Sequence, residues 1–235
     1  MTLKPQDAAA LIGQTTSEGT VLIGGQAVAF WADHFGLRTV LAALTVDIDY
    51  LGTRREAQRA DARLRYPHRL TLAAPEDLPN TALLSVAMKG YKEPVVVDYL
   101  SGILGVESRD IIRSAITVDF HGQPLKIIHP VPLLQSKFWN LYRLPAKRSP
   151  AGIEQARLAI EIVAAFLRTA EPPRRELLKA IERIGRFAAT NPARDARERY
   201  GLQCLKAIPE EVFRKGALPV VFHEKRWPQI VAAAE

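Results

Sequence analysis

Val21-Leu22-Ile23-Gly24-Gly25-Gln26-Ala27-Val28-Ala29-Phe30, followed downstream by Leu44-Thr45-Val46-Asp47-Ile48-Asp49-Tyr50-Leu51, decides how the rest of the chain is read. A short apolar strand runs into two glycines that open a helix, and a second apolar strand carries two aspartates one residue apart. Successive strand side chains point to opposite faces, so Asp47 and Asp49 are expected on one face, with Val46, Ile48 and Tyr50 on the other. Two carboxylates so placed suit a divalent ion such as Mg2+, which is usually held by one or two carboxylates together with substrate phosphates. Gly24 and Gly25 lack a Cβ and let the backbone approach a ligand, and the helix starting near Gln26 turns its free N–H groups towards an anion.

The 235 residues allow one large domain, or a core with a smaller unit beside it. Hydrophobic residues make up 48% and charged residues 24%, a globular rather than a disordered composition. Thirty-two Lys and Arg against 25 Asp and Glu give a net charge of +7, which favours a polyanionic partner. The single cysteine, Cys204, excludes an intramolecular disulfide framework and fits a reducing compartment, with the thiol read as a small buried hydrophobe. Neither a signal-peptide pattern nor an apolar run of about 18 residues is visible, so a cytoplasmic protein with no membrane partner is expected.

Upstream, Gln6 to Ile12 reads as a short helix. Downstream, Val40 to Leu44 reads as a lead-in to the aspartate strand at Thr45 to Leu51. Thr53 and Glu56 match a capping box opening a helix through about Leu64. That helix carries Arg54, Arg55, Arg59, Arg63 and Arg65, either a solvated face or a grip on phosphates. Arg69 to Ala74 and Thr81 to Met88 read as strands, and Pro94 to Leu100 as a third that ends near Asp98. A carboxylate after three valines invites a functional explanation, although a strand-end residue facing water would look the same. Ala115 to His121 and Pro124 to His129 form a hairpin around Gly122, and its Asp119 is the rival third carboxylate.

Leu133, Leu134, Lys137, Phe138 and Leu141 recur at helical spacing. Lys137 therefore falls at the margin of an apolar face, where it either snorkels or meets a phosphate. From Ser149 the chain is helical: Ser149-Pro150 start a buried helix, and Asn191-Pro192 start another through Lys206. Between them a basic stripe, Arg175, Lys179, Arg183 and Arg186, opposes an apolar one, Leu177, Ile181, Ile184 and Ala188. The expected architecture is α/β (α+β): a mixed β-sheet core over 1–145 with flanking helices, and a C-terminal helical region over 146–235.

The Gly24-Gly25 turn, Asp47-Ile48-Asp49, Val95-Val96-Val97-Asp98 and Leu133-Leu134-Gln135-Ser136-Lys137-Phe138, in that order, resemble the polymerase-β-like nucleotidyltransferases. Of the arginine plus serine or threonine often found just ahead of Asp-x-Asp there, this sequence has only Thr45. Within that superfamily the set is most similar to the AbiEii-type toxins of toxin–antitoxin and abortive-infection systems. The resemblance covers roughly residues 20 to 145. It implies a two-ion Mg2+ site on Asp47, Asp49 and Asp98, and nucleoside triphosphate binding by Gly24, Gly25 and Lys137. The expected activity is transfer of a nucleoside monophosphate to RNA, tRNA among the candidates, or to protein, with a cognate antitoxin as a further partner. A small-molecule nucleotidyltransferase would use the same carboxylates, and a non-catalytic binding module on this fold is the third reading.

Overall fold

The computed structural model describes residues 3–37, 45–169, 174–214 and 218–234. The expected lead-in at Val40 to Leu44 lies outside them. The chain divides into two compact units, the described residues within Met1–Phe30 and Val40–Leu133, and those within Trp31–Thr39 and Leu134–Glu235. The division thus falls earlier than the change of composition at 146.

In the first unit, α1 (Pro5–Thr15), β1 (Val21–Ile23), the start of α2 (Gly24–His34), β2 (Ile48–Leu51) and α3 (Arg54–Asp61) precede β3 (His68–Leu72), β4 (Asn80–Val86) and β5 (Val95–Leu100). Then come α4 (Ser108–Ser114), β6 (Ile116–Phe120), β7 (Gln123–Ile127) and the start of α5 (Pro130–Arg143). The described strands form a seven-stranded sheet of order β3-β4-β5-β2-β1-β7-β6. It is mixed, because β2 pairs parallel with β5 and β1 parallel with β7, whereas the other neighbours are antiparallel. The expected α/β class is observed. The aspartate strand is shorter than Thr45 to Leu51, for its ladder begins at Ile48.

One face of the sheet is packed. Ile48, Tyr50, Leu84, Val97 and Tyr99 are all fully buried, and the rings of Tyr50 and Tyr99 stack 5.5 Å apart. Such a pair contributes about 1 kcal/mol beyond area burial. The Tyr99 hydroxyl donates to the Thr15 carbonyl at 2.9 Å, and the Tyr50 hydroxyl lies 3.1 Å from Thr15 Oγ1. Burial pushes both phenols far above their ordinary range, so both stay protonated. This hydrogen-bonded stack carries α1, and α3 packs against α1, β3 and β4.

The second unit is helical in its described residues: the end of α5, α6 (Pro150–Thr169), α7 (Arg174–Ala188), α8 (Asn191–Tyr200), α9 (Glu210–Arg214) and α10 (Trp227–Ala234). Leu158, Ala159, Ile162 and Val163 of α6 are buried, as its apolar pattern requires, and Phe138 meets Phe187 edge-on at 5.8 Å. The helix expected through Lys206 stops at Tyr200, because Gly201 takes φ +68 as its C-cap and Cys204–Ala207 forms a separate 3-10 turn. Cys204 is buried, and burial pushes its thiol up to about 12, so it stays protonated at neutral pH.

The capping box forms as read: the Glu56 carboxylate accepts from the Thr53 amide at 3.2 Å and from the Thr53 hydroxyl. Burial opposes the charge, but the bonds from Thr53, the Glu56 amide and the Arg59 guanidinium outweigh it and hold Glu56 below the usual carboxylate range. A depressed folded value stabilises the fold above the ordinary Glu range, and the contribution disappears as pH falls through the folded value. Glu56→Gln is expected to cost about 1 kcal/mol of unfolding free energy at pH 7, with the gap closing below about pH 4. Urea titrations of both proteins at pH 7 and pH 3 check this, and an equal gap at both would remove the charge from the explanation.

Candidate functional site

On the sheet face opposite the tyrosine stack, the register lines up Leu83 with Asp98, Asp98 with Asp49, and Asp49 with Ile23. Paired residues of neighbouring strands project to the same side, so Asp49 and Asp98 stand side by side, about 4.8 Å apart at the backbone. Both are half-buried, while Ile48, Tyr50, Val97 and Tyr99 of the same strands are sealed on the other face. Alternation alone separates the two faces, and the parallel pairing of β2 with β5 brings the carboxylates together.

The end of β1 adds the third side of the site. Gly24 has φ +68, and a Cβ built on it would lie 1.8 Å from Asp49 Oδ2. The space that glycine leaves is therefore occupied by the Asp49 carboxylate, not left open for a phosphate as the sequence reading expected. Gly25 is buried just behind it, in the first turn of α2. A carboxylate at a helix N-terminus is favourably placed in the field of the helix dipole. Asp47 is exposed and precedes the ladder, just after a bend at Val46, so strand alternation does not fix its direction as the sequence reading expected.

Two residues that the sequence reading gave no role in holding this segment do so. Gln26 is 9% exposed and its Nε2 donates to the Thr45 carbonyl at 3.3 Å, while the Asp47 amide donates to Thr45 Oγ1 at 3.2 Å. An amide side chain in an otherwise apolar first turn, and a threonine two residues before an aspartate, were the available signals.

The other candidates are distributed differently. Asp119 lies on edge strand β6, with β2, β1 and β7 between it and β5, roughly 19 Å away at strand spacing. Its Oδ1 accepts from the Gly122 amide at 3.1 Å, which makes it a hairpin residue. Three of the five arginines in and just after α3 are engaged elsewhere: Arg63 donates to the Thr16 carbonyl at 2.6 Å beside the tyrosine stack, Arg54 donates to the Ala73 carbonyl, and Arg59 pairs with Glu56 at 3.6 Å. Lys137 belongs to the second unit, is 6% exposed, and donates from Nζ to Gln155 Oε1 at 2.8 Å, so it does not snorkel to water. The basic stripe divides. Arg175, Lys179 and Arg186 are exposed, whereas half-buried Arg183 donates to Gln135 Oε1 at 2.9 Å.

Among the described residues, no three His, Cys, Asp or Glu side chains are gathered closely enough to form a metal centre. The Asp49–Asp98 pair nevertheless fits Mg2+, a hard cation commonly held by one or two carboxylates with phosphate and water completing its shell. No described helix is long and apolar enough to cross a membrane.

No family model matches the chain, and no curated protein matches it. Among solved structures, the crystal structure of JHP933 from Helicobacter pylori aligns over 100% of both chains at 12% identity and a TM-score of 0.46. A likeness at that level carries no argument about fold or function.

Gly24→Ala is expected to destabilise the protein through two separable effects, left-handed backbone strain of about 1–2 kcal/mol and displacement of the Asp49 carboxylate. Combining it with Asp49→Ala should recover only the second. A double-mutant cycle in urea checks this, and strictly additive losses would show that the two residues do not press on each other.

Proposed function

We propose that the chain is a metal-dependent nucleotidyltransferase that moves a nucleoside monophosphate from a nucleoside triphosphate to a hydroxyl acceptor. The observation that carries the reading is the Asp49–Asp98 pair on the half-open sheet face, with Asp49 seated against Gly24 at the start of α2. Asp49 and Asp98 would hold Mg2+, with phosphate and water completing its shell; Asp47, expected as a third ligand, is exposed and is not gathered with them. The ion supplies charge neutralisation at the transferred phosphate and a template for in-line displacement. Asp98 lies on the side of Asp49 away from the glycine turn and would accept the proton of the attacking hydroxyl. That oxygen bonds to the α-phosphorus as the bond to the β-phosphate oxygen breaks, and pyrophosphate leaves. The free N–H groups of the first α2 turn, Gly25 and Gln26 among them, would orient the triphosphate.

RNA is the acceptor favoured by the net charge of +7 and by exposed Arg175, Lys179 and Arg186 on α7. A cationic small molecule would be repelled by the same excess. A toxin countered by a cognate antitoxin is the biological setting we propose, as the sequence resemblance implies.

Incubation with each labelled nucleoside triphosphate, Mg2+ and total RNA or protein is expected to label RNA. Asp49→Asn and Asp98→Asn should each lower transfer by at least about a hundredfold while melting like the parent, and Asp119→Asn should be silent. Transfer that survives Asp49→Asn, or that depends on Asp119, would overturn the assignment. Joint reversal of Arg175 and Lys179 to glutamate should weaken transfer to RNA and flatten its salt dependence without changing nucleotide affinity. Unchanged RNA transfer would return these residues to a solvated surface.

A further inference from the structure

We propose that the half-open sheet face running from β5 across β4 to β3 is the acceptor platform of the site, and that Arg69 at its edge holds a backbone phosphate of a single-stranded RNA acceptor. The proposal rests on the nucleotidyltransferase reading and deepens it, because it gives the acceptor a path over the sheet.

Register places the residues. Thr71 of β3 pairs with Leu83 of β4, and Leu83 with Asp98 of β5; two residues along the same ladders, Arg69 pairs with Ser85 and Ser85 with Val96. Paired residues project to the same side, and so do alternate residues of one strand, so all six stand on the face that carries Asp49 and Asp98. Burial agrees with this division. Leu84, Val86 and Val97, on the opposite face, are at 0% exposure, whereas Leu83, Ser85 and Val96 are half-buried and Arg69 and Thr71 exposed. Asp98 also lies on the side of Asp49 away from the Gly24 turn, which is the side left for the attacking hydroxyl once the triphosphate is at α2.

Charge singles out Arg69. Histidine aside, Arg69 and Asp98 are the only residues of β3, β4 and β5 with a formal charge, and both fall on this face. Arg54, Arg59 and Arg63 are each held by a protein acceptor, whereas the Arg69 side chain has none among the described residues. Two strand spacings and two residues along the strand separate the Arg69 and Asp98 backbones, roughly 12 Å. A chain whose attacking hydroxyl lies at Asp98 therefore brings a phosphate further along its backbone to Arg69, not the one that reacts. Between the two, Leu83 and Val96 form an aliphatic floor for an unstacked base, and Ser85 and Thr71 add hydroxyl groups for ribose and phosphate oxygens. Single strands can splay a base onto such a sheet surface, and a paired duplex end cannot.

Fluorescence anisotropy of the full chain with a short 5′-labelled single-stranded oligoribonucleotide, over a salt series and without nucleotide, tests this without turnover. Arg69→Gln should weaken binding roughly tenfold, as loss of one charged hydrogen bond does, and should lower the salt slope by about 0.7, the share of one phosphate on a single strand. Arg69→Lys, which keeps the charge, should keep the slope. Edge strands often carry a charge that only blunts pairing with other chains; in that role Arg69→Gln would leave affinity and slope as they are, and the platform would fall. It would fall equally if the parent bound no RNA, or if Arg69→Gln weakened a blunt duplex as much as the single strand. A 4-thiouridine at the 3′ end should photo-crosslink to the tryptic peptide from Leu70 to Lys89, which carries Leu83 and Ser85; crosslinks confined to other peptides would contradict the placement. In the transfer reaction, Arg69→Gln should raise KM for RNA with kcat held, because the reacting phosphate is elsewhere. The two levels separate: RNA bound through Arg69 but never labelled sinks the nucleotidyltransferase reading alone, and labelled RNA whose affinity ignores Arg69 sinks the platform alone.

Discussion

The pairing of β2 with β5 is the constraint on which the molecule's proposed chemistry depends. One register fixes two faces at once: Tyr50 beside Tyr99 on the packed side, and Asp49 beside Asp98 on the half-open side. A slip of β2 by one residue would turn Asp49 into the packed face and Tyr50 out of it, away from Asp98 and Tyr99. Burying the Asp49 carboxylate without partners would cost several kcal/mol, and the contact of the Tyr50 hydroxyl with Thr15 and its stacking on Tyr99 would be lost. The hydrophobic and hydrogen-bonded face thus holds the register, and the carboxylate face inherits its geometry from it.

A parallel pair cannot be joined by a tight turn, so the segment between β2 and β5 must travel. Here it supplies α3 and the β3–β4 hairpin, which extends the sheet beyond β5. The capping box at Thr53 and Glu56 starts α3 two residues after β2 ends, and Arg63 then reaches back to Thr16 beside the stacked tyrosines. Arg63, just past the end of α3, therefore reinforces the packed face, while Arg54, Arg55 and Arg59 lie on the exposed side of the helix. Their density in the sequence reflects a helix with one narrow buried side, at Glu56, Ala57 and Ala60, and a wide solvated one.

Local physics was legible before the fold was known. Alternation around Ile48 and Tyr50 separated the faces, Thr53 and Glu56 marked a helix start, and Gly122 marked a hairpin that forms between Phe120 and Gln123. What sequence could not supply was long-range partnership. Nothing local says that Asp98 adjoins Asp49 while Asp119 falls on the far edge, since both follow similar apolar strands. Nor does helical spacing reveal that Lys137 meets Gln155, or that Arg183 leaves its stripe for Gln135, because each partner lies 18 or 48 residues away. The space at Gly24 was legible as close approach, but the approaching group is the protein's own Asp49. The helix overrun to Lys206 has a simpler cause: Gly201 was available as a C-cap, and the apolar residues beyond it pack as a separate turn.

The central claim is that one ion-binding locus exists where β1, β2 and β5 present Gly24, Asp49 and Asp98. Paramagnetic broadening of backbone amide resonances by substoichiometric Mn2+, with a nucleotide analogue present, locates that ion directly. The account predicts selective loss of signals from Ile23 to Gln26, from Asp47 to Asp49 and from Val97 to Tyr99, with Asp119 and Gly122 unaffected. Broadening centred on the β6–β7 hairpin, or scattered over exposed carboxylates with those three segments intact, would contradict it.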